Sequence, residues 1–120
     1  MAFSDMSVEN IDNEFLIARV KKCLSGFIVR LDEVFKTLDE TDSTKDEIIV
    51  LVEEIQSDIG KEKARALSSN NPFFAECDYI GALDWVLDFL KWGLASQSPH
   101  KLSSALYGAS LSAGFYLHHM

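Results

Sequence analysis

Apolar residues fall at Ile17, Val20, Leu24, Phe27, Leu31, Val34 and Leu38, at intervals that alternate three and four without a break. That spacing puts all seven on one stripe of a helix and predicts a long helix from about Ile11 to Leu38. Ser25-Gly26 lies inside it as a candidate bend. Ile28 and Phe35 widen the apolar face beyond a coiled-coil seam, which favours a globular bundle. A second segment opens with Thr44-Lys-Asp-Glu47, a threonine with a glutamate three residues on, as in a capping box. Asp46 and Glu47 suit the positive end of that helix dipole. Its stripe is Ile48, Val52, Ile55 and Ile59. Gly60 either ends this helix or is passed over. Lys61, Lys63 and Arg65 favour a C-terminal end further on, and Ala66 and Leu67 extend the stripe. Continuation to about Leu67 is therefore the preferred reading.

The third segment starts near Asp78, a residue type suited to an N-cap. Its stripe is Ile80, Leu83, Leu87, Leu90 and Leu94, with a second apolar row, Trp85, Phe89 and Trp92, beside it. A helix apolar around so much of its circumference is either central or shows aromatic surface to a partner. The fourth segment opens with Ser98-Pro99, a cap followed by a proline at the first helical position. Leu102, Leu106, Ala109, Ala113 and Tyr116 form its stripe. Ser104, Gly108 and Ser112 form a small-residue row that would let two helix backbones approach closely. Polar, turn-rich stretches at Leu38–Ser43, Ser68–Pro72 and Ala95–Pro99 separate the segments. No repeat or low-complexity linker interrupts them. The expected fold is all-α: one domain over residues 1–120, an antiparallel bundle of four helices, or five if Gly60 divides the second.

Composition narrows the class. The chain has 120 residues, 48% hydrophobic and 25% charged, with 2 prolines and 6 glycines. This is a globular balance, unlike that of a disordered tail, a fibre or a disulfide scaffold. A net charge of -8 argues against a nucleic-acid partner. Met1 to Glu9 has neither a basic start nor a long apolar run, unlike a signal peptide. Tyr79–Ala95 carries Asp84, Asp88 and Lys91, which are expensive in lipid. Leu102–Leu117 is too short to span a bilayer, so no membrane association is expected. Cys23 and Cys77 lack C-x-x-C spacing and read as reduced, buried thiols of a cytoplasmic protein.

Motifs of catalysis are missing. His118 and His119 are adjacent and diverge on a helix, and His100 lies a helix length away, so zinc ligands do not converge. Asp84 and Asp88 share a helix face, but Glu-x-x-His, the di-iron spacing of helical bundles, is absent. They read as a solvated edge, with metal chemistry as the rival. Cys23 would need a neighbouring base to act as a nucleophile, and its place beside the stripe of the first helix reads as a packing role. No Gly-rich phosphate loop occurs. Neither an enzyme nor a cofactor or metal site is expected.

The charge is lopsided. Residues 1–59 hold 14 acidic and 6 basic side chains, and residues 60–120 hold 5 of each. Ten acids lie between Asp32 and Asp58, opposed within that window only by Lys36 and Lys45. They predict one acidic surface over the end of the first helix, the following loop and the outer face of the second. Such a face either aids solubility or docks a basic partner, speeding encounter and excluding wrong partners. The expected contacts are Asp39, Glu40, Asp42, Asp46, Glu47, Glu53 and Glu54.

In size, helical make-up and the acidic run Asp32–Asp58, the chain resembles the small acidic immunity proteins that protect bacteria from their own toxins. The resemblance implies a cytoplasmic inhibitor that covers the basic cleft of a nuclease or RNase toxin with carboxylates. It rests on no shared motif, so no contact residue follows from it. The rival expectation is a non-catalytic adaptor or structural subunit that associates through Trp85, Phe89 and Trp92.

Overall fold

A computed structural model describes residues 2–40, 45–69 and 71–120, with side chains at 14–38, 46–69, 71–74 and 77–120. Five helices follow one another: α1 (Ala2–Glu40), α2 (Lys45–Ser68), α3 (Pro72–Glu76), α4 (Tyr79–Ser96) and α5 (Pro99–His118). The four long helices run up, down, up, down. Each packs on two neighbours, in the cyclic order α1, α2, α4, α5. The fold is the all-α antiparallel bundle that the periodicity predicts.

On α1, Val20, Leu24, Leu31 and Val34 are buried, and Phe27, Ile28, Phe35 and Leu38 pack against them. Ile17 stands outside this cluster, and Leu16 takes its place. At 1.5 Å per residue α1 spans about 58 Å, close to the 61 Å long axis of the molecule. Ser25-Gly26 does not break α1, and nothing lies within 4 Å of the place where a Gly26 Cβ would sit. The capping-box residue Thr44 lies outside the described residues.

α2 continues through Gly60. Its buried row is Ile48, Val52, Ile55, Ile59, Glu62 and Ala66, spaced three and four throughout. Leu67, expected to extend the stripe, is exposed, because one residue beyond Ala66 turns the side chain about 100° away.

The fifth helix arises at Pro72, not at Gly60. Asn71, within the turn-rich stretch Ser68–Pro72, caps α3: its side chain accepts from the Phe73 N–H at 3.0 Å, and Pro72 occupies the first turn. This single turn folds Phe74 into the core against Tyr79, with ring centroids 5.8 Å apart. Asp78 does precede α4 but does not cap it. Its backbone is left-handed, at φ 54°, and its side chain makes no cap hydrogen bond. The carboxylate lies instead over Gly81, where a Cβ would fall 2.5 Å from Oδ1. Ser98 caps α5 as expected, accepting from the Lys101 N–H.

α4 is rotated relative to the predicted stripe. Its buried residues are Tyr79, Ala82, Leu83, Val86, Leu90 and Gly93, whereas Ile80, Leu87 and Leu94 are only half-buried. The α4–α5 contact turns it. A Cβ on Gly93 would fall 2.6 Å from the Ala105 Cβ, and one on Gly108 would fall 2.7 Å from the Phe89 ring. Of the expected small-residue row, Gly108 serves this approach, and Ser104 is exposed. Among the described residues, no helix is long and apolar enough to cross a membrane.

Candidate functional site

The bundle presents two contrasting faces, formed by opposite helix pairs. On the α1–α2 side, Asp46, Glu47, Glu53 and Glu54 are exposed. Asp46 and Glu53 are seven residues apart, as are Glu47 and Glu54, so each pair repeats along one line of α2. Both lines lie away from the buried row of Ile48, Val52, Ile55 and Ile59. Exposed apolar residues, Ile49, Val50 and Leu51, lie among the carboxylates. Asp39 and Glu40 belong to the last turn of α1, with side chains outside the described set, and Asp42 lies outside the described residues altogether. Two further acids of the run are engaged. Asp58 accepts a 2.8 Å hydrogen bond from Arg30 in an ion pair between α2 and α1. Asp32 accepts from the Ser110 hydroxyl at 2.7 Å. Lys36 and Lys45 are thus not the only cations that oppose the run, because Arg30, from just before it, reaches into it.

On the α4–α5 side the surface is aromatic. Trp85 and Trp92 of the predicted row are 63% and 50% exposed. Phe89 is half-buried and packs on the core cluster. The structure adds residues from α5 that the stripe analysis passed over: Tyr107, Leu111 and Phe115, 59%, 60% and 67% exposed. A groove of about 640 Å³ runs between the helices, with Trp85 and Phe89 on one wall and Leu111 and Phe115 on the other. A second groove, of about 500 Å³, lies on the far side of Leu111 and Phe115, bounded by Tyr107 and Asp32. Leu111 and Phe115 therefore form a ridge between two grooves. Their four-residue spacing from Tyr107 was the sequence signal for this row.

Between the faces lies a buried polar knot. Glu62 is 8% exposed and sits in the apolar register of α2. Arg65 grips its carboxylate with two hydrogen bonds, of 2.6 and 2.8 Å. The Tyr79 hydroxyl donates to it at 2.7 Å. Burial works to raise the Glu62 pKa, but the hydrogen bonds from Arg65 and Tyr79 outweigh it and hold the carboxyl below its usual value. Burial, then the Glu62 charge, pushes the Cys23 thiol upward, opposite to the direction that would make it a nucleophile. Burial and the bond to Glu62 likewise raise Tyr79. Sequence reasoning missed this knot. Its signal was a glutamate at a stripe position, three after Ile59 and four before Ala66.

The candidates for chemistry are drawn into structural contacts. Asp84 forms an ion pair with Lys63, and Asp88 is exposed. The His119 ring stacks on Phe115 with centroids 4.3 Å apart. Cys23 and Cys77 are free thiols, half-buried instead of fully buried. Among the described residues, no three His, Cys, Asp or Glu side chains come together to hold a metal ion.

No protein-family model, curated protein or solved structure matches the chain.

Proposed function

We propose that the protein is a non-enzymatic binding module that neutralises a basic protein by covering it with the acidic face of α2. The partner class is a nuclease or RNase toxin, whose substrate-binding cleft is basic because the substrate is a polyphosphate. The setting is the cytoplasm of a bacterium that makes or meets the toxin. The observation that carries this reading is the exposure of Asp46, Glu47, Glu53 and Glu54 along two lines of one helix. A rigid helix presents these carboxylates in fixed register, and Ile49, Val50 and Leu51 supply apolar contact among them. Charge of a single sign costs folding stability through self-repulsion, which gives it reason to serve a partner. The test starts with co-purification from the source cell at low and high salt. Against the captured partner, the double reversal Glu53→Lys and Glu54→Lys should slow association, and the loss should shrink as salt rises. Unchanged association rates would remove the acidic face from the interface.

A second reading, an adaptor or structural subunit that associates through α4, is supported by the exposure of Trp85 and Trp92. Its signature is binding that ignores salt and is lost when either tryptophan is changed.

A further inference from the structure

The aromatic face is as large as the largest apolar patch that a typical monomer shows. At roughly 150–250 Å² for a whole aromatic side chain, the exposed fractions of Trp85, Trp92, Tyr107 and Phe115 leave roughly 350–600 Å² in water. Leu111 adds to this. The largest apolar patch of a monomeric protein is itself about 300–600 Å² and is often functional. Two such faces brought together would bury on the order of 1,000 Å² from these side chains alone. With the surrounding Phe89, Ser104 and Ser112, that approaches the roughly 1,200 Å² at which stable interfaces begin.

Charge points to what covers it. Residues 79–120 contain two acids, Asp84 and Asp88, and two bases, Lys91 and Lys101, so they carry no net charge. Residues 1–78 contain 17 acids and 9 bases and carry all of the -8. The bundle places α1 and α2, which hold most of that charge, across from α4 and α5. Asp78 and Asp32 border its grooves, but they are few beside the four exposed carboxylates of α2, so a basic partner would find a weaker field to read there. A second copy of this chain is the partner that loses least there, since pairing through α4 and α5 turns both acidic faces outward. Shape agrees. A two-fold contact must be self-complementary, and this face carries a ridge, Leu111 and Phe115, beside grooves on both sides. Each ridge can seat in the other copy's groove, as helix ridges pack into grooves.

We infer that the α4–α5 face is a two-fold contact between two copies of this chain, with the Leu111–Phe115 ridge of each seated beside Trp85 and Phe89 of the other. The inference rests on the adaptor reading of the aromatic row and names its occupant; it is independent of the acidic face. The experiment is sedimentation equilibrium of the full chain over a wide concentration range, at low and high salt. The expected result is a reversible species of twice 13.5 kDa that persists in high salt. Leu111→Glu and, separately, Trp85→Glu should weaken the dimer by about tenfold or more, with helical circular dichroism unchanged. Val50→Glu, on α2, should leave it intact, as should Glu53→Lys with Glu54→Lys. Phe115→Ser gives a second probe of the ridge should Leu111→Glu disturb folding. A 13.5 kDa species at every concentration overturns the proposal, and so does a dimer indifferent to both Leu111→Glu and Phe115→Ser. A monomer that binds a foreign protein, and releases it on Trp85→Glu, also overturns self-association while leaving the adaptor reading standing.

Discussion

Glu62 is a buried carboxylate held by hydrogen bonds from Arg65 and Tyr79. Its carboxyl is held below its ordinary value, so its contribution to stability is fully present above the unfolded-state pKa, about 4.3 for glutamate. That contribution is lost as pH falls through the lower, folded-state value. Glu62→Gln should destabilise by about 1–3 kcal/mol at neutral pH, less than a fully buried pair would cost, because Arg65 is about one-third exposed. Denaturant melts of both proteins from pH 7 downward should show the gap narrowing below about pH 4.5. A gap constant with pH would mean that the lost term is packing and not charge. Gln97, like Asp78, is held in a left-handed backbone conformation. It closes α4 in the left-handed region, at φ 55°, where an L side chain meets its own backbone. Gln97→Gly relieves that contact and should stabilise by roughly 0.5–1 kcal/mol, read as a raised urea midpoint with an unchanged slope.

At the level of elements, two glycines make opposite predictions. Gly60 lies inside α2 with nothing within 4 Å of a built Cβ. Gly60→Ala should therefore gain roughly 0.5–1 kcal/mol from helix propensity. Gly93→Ala should lose stability, because its Cβ would fall 2.6 Å from that of Ala105 and force α4 and α5 apart. Thermal melts of the two variants should move in opposite directions. Gly93 also explains why α4 departs from its predicted stripe. Periodicity weighs large apolar residues, and by that measure Ile80, Leu87 and Leu94 outweigh Ala82 and Gly93. Helices approach closest where side chains are smallest, so the true contact lies on the Ala82 and Gly93 side. On α1 the large residues do mark the core. Leu24→Ala or Leu31→Ala, each fully buried, should cost roughly 2–5 kcal/mol. Melting within a degree or two of wild type would contradict the bundle.

For the whole molecule, the division of charge is the feature with consequences. The net -8 belongs to residues 1–78, and the exposed acids of α2 lie near one another on a single helix. Reversing Glu53 and Glu54 to lysine relieves like-charge repulsion. The double variant should fold as well as wild type or slightly better, the gain shrinking with added salt. A clear loss of stability in thermal melts would show that these carboxylates hold the fold, and would undercut their assignment to partner binding. On the opposite, aromatic side, residues 79–120 carry no net charge. An acidic side for a basic partner and an apolar side for a second copy are therefore separable surfaces, and variants on one should leave the other's binding unchanged.

What the sequence by itself determined was local: the four long helices, the phase of the core stripes on α1, α2 and α5, the Ser98 cap, the passage of α2 through Gly60, and the segregation of charge. Each depends on residues within a turn or two of one another, and helix geometry converts such spacing directly into a face. What tertiary structure alone decided was which faces meet. Tyr79 reaches Glu62 across 17 residues, Arg30 reaches Asp58 across 28, and Ser110 reaches Asp32 across 78. The rotation of α4, the single turn of α3 over Tyr79 and the joining of two rows into a ridged aromatic face follow from the same cause. Periodicity measures position around one helix axis. Contact between helices depends on the volumes and partners that the neighbouring helix supplies.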